Sequence, residues 1–184
     1  MGTFHLRLAT SNDVAAIRAL IEASVRKLQA KDYSAAQREG ALATVFTIDS
    51  RLILDGTYFV ATAEDGRLAG CGGWSFRKTL YGGDHQVEQI APEMLDVTMD
   101  AAKIRAIFVH PDFARMGLGS LILQAAEEAA MAYGFERFEM GSTLTGVGLY
   151  SRKGYREINR IDVPVAGGKT IQVVKMEKRG KLGR

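Results

Sequence analysis

Thirteen consecutive residues, Val109-His110-Pro111-Asp112-Phe113-Ala114-Arg115-Met116-Gly117-Leu118-Gly119-Ser120-Leu121, hold the parts of an anion site. Gly117 and Gly119 carry no Cβ, so a phosphate could approach the backbone closely, and Arg115 adds a cation beside them. The apolar run Ile104 to Val109 comes before, and the amphipathic run Ser120 to Tyr133 comes after. The order is therefore strand, short loop, glycine pair, helix. The first N–H groups of such a helix lack partners and sit at the positive end of its dipole, which favours an anion. A glycine pair at this junction can also serve only to make a tight turn, so the rest of the chain must decide.

Other reactive residues are sparse. Cys71, the one cysteine, lies in the apolar, glycine-rich run Leu68 to Trp74 and reads as a small core residue. A disulfide framework is excluded, and a cytoplasmic location is the default expectation. His5, His85 and His110 are scattered, with no metal-ligand spacing, so no metal site is expected. A net charge of +3 over 184 residues, much of it in a tail from about residue 178, gives no nucleic-acid motif. No apolar run spans a bilayer, and Met1 to Asp13 lacks a signal-peptide pattern.

The elements that must position the turn follow from periodicity. Phe4 to Leu8 alternates and reads as a strand. Ser11 or Asn12 can cap an amphipathic helix over 13 to about 29, with Val14, Ile17, Leu20 and Ile21 on one face. Ser34 can cap a second helix, and Asp49 to Leu54 has room for a short third. Thr57 to Ala63 and Leu68 to Arg77 are strands joined by a hairpin at Asp65-Gly66. The three glycines of the second strand predict a bulge or a close backbone approach. Lys78 to Ala102 reads as a long functional loop. After the helix that ends at Gly134 come a strand over 135–140, a short helix over 143–152 and a terminal hairpin through Ala166 to Lys169. The order β-α-α-β-β-β-α-β-α-β-β predicts one α/β (α+β) domain. It has a mixed, mostly antiparallel sheet of about seven strands and about four helices.

Two motifs on this order carry a family resemblance. Ala114-Arg115-Met116-Gly117-Leu118-Gly119 is similar to the Arg/Gln-x-x-Gly-x-Gly/Ala turn, and Leu149-Tyr150-Ser151-Arg152-Lys153-Gly154-Tyr155 to the late aromatic segment, of the GNAT superfamily of acetyl-CoA-dependent N-acetyltransferases. The resemblance runs from Phe4 to Lys178. It implies that the amides of Arg115, Met116, Gly117, Leu118, Gly119 and Ser120 bind the pyrophosphate of coenzyme A. It implies that Ile107, Phe108 and Val109 pair with the pantetheine arm, and that Tyr150 protonates the leaving thiolate. Ala114 departs from the family's usual Arg or Gln, Thr143 stands where many members have Asn, and Lys103 and Arg105 stand where many place a Glu base. Glu93, Asp96 and Asp100 are the candidate bases left, beside a water relay or an amine that arrives neutral.

The resemblance also implies an acceptor pocket between 28–46 and 74–100. These stretches supply Tyr33, Phe46, Trp74, Phe76 and Tyr81 with several carboxylates, which suits a small amine or a polyamine-like cation. The expected partner is a small-molecule amine, with no nucleic acid and no membrane, and a homodimer is allowed. A protein lysine or N-terminal acetyltransferase, a non-catalytic acyl-CoA-binding module and a nucleotide-binding domain are the other readings. The last lacks the Lys that follows the glycines of a P-loop.

Overall fold

The computed structural model describes residues 3–84 and 92–180, so His85 and Glu88 of the long loop lie outside the described residues. The strands are β1 (Phe4–Leu8), β2 (Tyr58–Ala63), β3 (Leu68–Ser75), β4 (Ala102–Val109), β5 (Arg137–Thr143), β6 (Arg156–Val165) and β7 (Lys169–Arg179). The helices are α1 (Val14–Leu28), α2 (Ala35–Leu42), α3 (Ser50–Leu54), α4 (Leu118–Tyr133) and α5 (Val147–Arg152). Among the described residues there are thus five helices where about four were expected, because Asp49 caps α3 by accepting from Arg51 N at 3.1 Å. Lys175, Lys178 and Arg179, read as part of a basic tail, belong to β7.

The seven strands form one sheet in the order β1-β2-β3-β4-β5-β7-β6, antiparallel throughout except between β4 and β5. Strand alternation, interrupted by bulges in β3 and β4, puts Ala61, Ala69, Trp74 and Ile104 on one face, where α4 covers them with Leu118, Ile122, Leu123 and Ala126. Tyr58, Val60, Cys71 and Phe108 go to the other, beneath Ile17, Leu20, Ile21 and Val25 of α1. The glycines of β3 meet both expectations. A Cβ on Gly73 would sit 2.0 Å from the carbonyl oxygen of Thr57, and the β3–β4 register slips between Cys71 and Gly73.

The start of α1 differs from its sequence reading. Neither Ser11 nor Asn12 caps it, since both lie within a 3₁₀ turn. Asp13 accepts instead, from Thr10 N at 2.8 Å and Thr10 Oγ1 at 3.2 Å, while its two oxygens receive Arg7 Nη1 and Nη2 of β1 at 2.8 Å each. The bidentate arginine is the partner that makes Asp13 the better anchor. These bonds, the one from Arg7 foremost, pull the Asp13 carboxyl from 3.8 to about 2. Its folded pKa lies below the unfolded one, so its stabilisation is present above about pH 4 and fades as pH falls toward about 2. Urea melts should show wild type losing roughly 1–2 kcal/mol more than Asp13→Asn between about pH 5 and about pH 2. Equal losses would remove the Arg7–Asp13 pair as the cause.

Candidate active site

The bulge in β4 shapes the site. Gly73 faces Arg105 and Cys71 faces Phe108, so Ala106 and Ile107 together oppose Gly72. Ala106 adopts φ 51°, and Tyr58 Oη donates to its carbonyl at 2.8 Å. The bulge places Arg105 and Ala106 on the α1 face and returns Ile107 to the α4 face. Pairing of β4 with β5 stops after Ala102↔Phe138 and Lys103↔Glu139, where Glu139 bridges Lys103 and Lys175. From Ile104 onward no strand among the described residues pairs with β4 on that edge, which leaves backbone groups without strand partners there.

A cleft open to solvent fills the gap between the two strands. Ile104, Ile107, Met140 and Tyr150 line it from the α4–α5 side, and Gln29, Val45, Phe46, Thr47 and Arg105 from the α1–α3 side. It passes through the sheet, so two reactants could meet from opposite faces. Arg105 is 3% exposed and donates to Asp49 Oδ2 at 2.8 Å, Gly82 O at 2.7 Å and Thr79 O at 3.1 Å. This pair ties α3 and the loop after β3 to the bulge. Asp49→Asn keeps the cap oxygen but removes the charge opposite a buried guanidinium. It should cost about 2 kcal/mol, read as a lowered urea midpoint. No change in midpoint would mean that Arg105 is held by the two carbonyls alone.

The glycine turn stands at the α4 end of the free β4 edge. His110 caps a 3₁₀ turn over Pro111–Phe113, its Nδ1 accepting from Asp112 N at 3.2 Å. Arg115 then takes φ 62° and Gly117 φ 85°, each a left-handed residue. Such alternation turns successive N–H groups toward one concavity and leads them into the helix start. Arg115, Met116 and Gly117 are exposed, and nothing lies within 4 Å of a Cβ built on Gly117. A phosphate-sized anion fits there. Gly119 has a different reason to be glycine, since its Cβ would stand 2.9 Å from Leu149 Cδ2 of α5. Leu118 is buried against Ala61 and Ala69, and Phe108 packs edge-on to Phe46, so each offers a ligand only its backbone. Val109 packs beside Leu118, while Ser120 lies in the first turn of α4.

Tyr150 is 8% exposed, and its ring stands edge-on to Tyr155. Its hydroxyl makes no hydrogen bond among the described residues, and the residue lines the cleft. Burial pushes the phenol's pKa up, so it stays protonated across the neutral range.

The other expected residues are only partly gathered. Of the five aromatics, Phe46 and Tyr81 line the cleft. Trp74 and Phe76 instead pack with Tyr133 and Phe135 near the end of α4. Tyr33 is spent as a brace, donating to Gln172 O at 2.6 Å and accepting from Leu144 N at 2.9 Å. Glu93 pairs with Lys78 at 2.8 Å, while Asp96 and Asp100 close a local turn, and none of the three lines the cleft. Burial pushes the Cys71 thiol up to about 12, which leaves no thiolate for nucleophilic work. Among the described residues no group of His, Cys, Asp and Glu could hold a metal, and no helix is long and apolar enough to cross a membrane. Gln29, Thr47, Asp49 and Tyr58 escaped the sequence reading. Each acts across a long gap in the chain, and only the buried polar character of Asp49 opposite Arg105 left a trace, as two charges inside apolar runs.

Comparison with known proteins agrees with this geometry. The family model described as acetyltransferase (GNAT) family matches residues 22–155. The GCN5-related N-acetyltransferase from Rhodopseudomonas palustris is 23% identical, with 97% of each chain covered and a TM-score of 0.70. The PaiA N-acetyltransferase from Thermoplasma acidophilum, solved in complex with coenzyme A, is 14% identical over 96% of this chain and 99% of its own, at a TM-score of 0.63. The ribosomal-protein-S18-alanine N-acetyltransferase from Escherichia coli is 14% identical over 99% and 97%, at 0.59. No curated protein sequence is a significant match. With the family model covering well over half of the chain, and the sheet split beside a glycine turn, the chain belongs to the acetyltransferase (GNAT) family.

Proposed function

We propose that the protein is an N-acetyltransferase that moves an acetyl group from acetyl-CoA to the primary amine of a small molecule. The observation that carries this reading is the through-sheet cleft, which has a free strand edge on one side and the partnerless hydroxyl of Tyr150 at its wall. When bound, acetyl-CoA supplies an activated acyl carbon. The amides of residues 115–120 suit its pyrophosphate, and the edge of β4 at Ile107, Phe108 and Val109 suits its amide-bearing arm. A free β4 N–H also suits the oxyanion that forms when the amine attacks. The C–N bond forms, the C–S bond breaks, and Tyr150 gives its proton to the departing sulfur. The proton lost by the acetylated nitrogen returns to the phenolate through solvent. Burial raises the phenol's pKa, so Tyr150 carries its proton until negative charge develops on the sulfur.

The test is release of free thiol from acetyl-CoA with a panel of primary amines, beside a thermal shift on adding acetyl-CoA. Amine-dependent thiol release supports transfer. A thermal shift with no turnover on any amine, unaltered in Tyr150→Phe, would favour a non-catalytic acyl-CoA-binding module. Turnover confined to peptides would favour a protein acetyltransferase.

A further inference from the structure

Besides the Tyr150 hydroxyl, two fully buried polar atoms at the cleft lack partners among the described residues. Gln29, just beyond α1, is 5% exposed, and its side-chain oxygen is buried with no hydrogen-bond donor among the described residues. Thr47, between α2 and α3, has its Oγ1 in the same condition. Both line the cleft on the α1–α3 side, across the sheet from Tyr150. A buried carbonyl without a donor forfeits its hydration and regains it only from a ligand's N–H or O–H. Thr47 and Phe46 also line a neighbouring pocket, with Arg18, Glu22 and Asp84.

Resting on the N-acetyltransferase reading, we infer that Gln29 and Thr47 receive the acceptor amine, and that the acceptor class is a monoamine on an apolar stem. The remaining walls decide the class. Val45, Phe46, Leu80 and Tyr81 offer apolar and aromatic surface. The charged group lining the cleft is Arg105, a cation, and no Asp or Glu lines it among the described residues, which disfavours a polyamine. Glu22 is already paired with Arg26, and Asp84 accepts from Ser50 N and Oγ. An acidic amino acid fares no better, because the Arg105 guanidinium is already engaged by Asp49, Thr79 and Gly82. Burial, the Arg105 cation and the lack of a lining carboxylate all disfavour the ammonium, so an amine held by these oxygens enters in its neutral, nucleophilic form.

The experiment measures kcat and KM for 2-phenylethylamine, spermidine and glutamate, with acetyl-CoA affinity measured separately. The arylalkylamine should lead the others in kcat/KM by about tenfold or more. Gln29→Leu and Thr47→Val should each raise its KM about tenfold while acetyl-CoA affinity stays within about twofold. Preference for spermidine or glutamate would overturn the inference. So would an unchanged KM in both variants, even beside a lowered melting temperature, which would mark the two side chains as packing. Acetyl-CoA binding with none of the three amines acetylated overturns the acceptor class alone. No acetyl-CoA binding to wild type overturns the transferase reading and this inference with it.

Discussion

Gly117→Glu should abolish coenzyme A binding in a chain that still folds. Gly117 sits at φ 85°, and a residue with a Cβ there pays roughly 1–2 kcal/mol in backbone strain. The position is exposed, and nothing stands within 4 Å of the new Cβ, so packing does not oppose the change. What changes is the concavity at the start of α4. A carboxylate would fill the space and place negative charge where the helix start favours an anion. We expect coenzyme A affinity to fall by about a hundredfold or more by isothermal titration, equivalent to about 2.7 kcal/mol. Gly117→Asn is the control, because asparagine tolerates left-handed backbone and adds no charge. It should keep most of the binding. Full affinity in a folded Gly117→Glu protein would remove the pyrophosphate assignment. Gly119 does not offer so clean a test. Its substitution drives a side chain into Leu149, so any loss there mixes α4–α5 packing with ligand contact.

Tyr150→Phe should lower turnover by roughly ten- to a thousandfold, the usual span for a general acid, with coenzyme A affinity nearly unchanged. The substitution removes one oxygen and keeps the ring edge-on to Tyr155, so the core around α5 stays filled. The loss should fall on kcat, since the hydroxyl meets charge on sulfur only as the C–S bond breaks. It should also depend on the leaving group. An acyl donor with a more acidic thiol needs less protonation, so the gap between wild type and Tyr150→Phe should narrow with such a donor. A gap that ignores the thiol's acidity, or a loss confined to KM, would assign Tyr150 a packing or positioning role.

The sequence was most informative where a feature is local. The strand–glycine–helix turn, the hairpin at Asp65-Gly66 and the amphipathic stripes of α1 and α4 are read from spacing alone, and all appear in the structure. The failures share a cause. Asp13 displaced Ser11 and Asn12 as anchor of α1 because Arg7 arrives from a neighbouring strand. Trp74 and Phe76 left the expected acceptor wall because the α4 face took them. Glu93, Asp96 and Asp100 left the list of bases because the loop turns them onto its own groups and Lys78.

By itself, then, the sequence determined the mixed α/β order, the glycine turn of Arg115 to Ser120 and the candidacy of Tyr150, each carried by residues close together in the chain. Only the tertiary structure decided that Gly117 faces open space while Gly119 faces Leu149. It also decided that β4 bulges at Ala106 and pairs with β5 only as far as Lys103, and that Gln29 and Thr47 line the same cleft as Tyr150. A bulge depends on a partner strand's register, and a cleft on residues from six distant segments. Neither leaves a period in the sequence to be read.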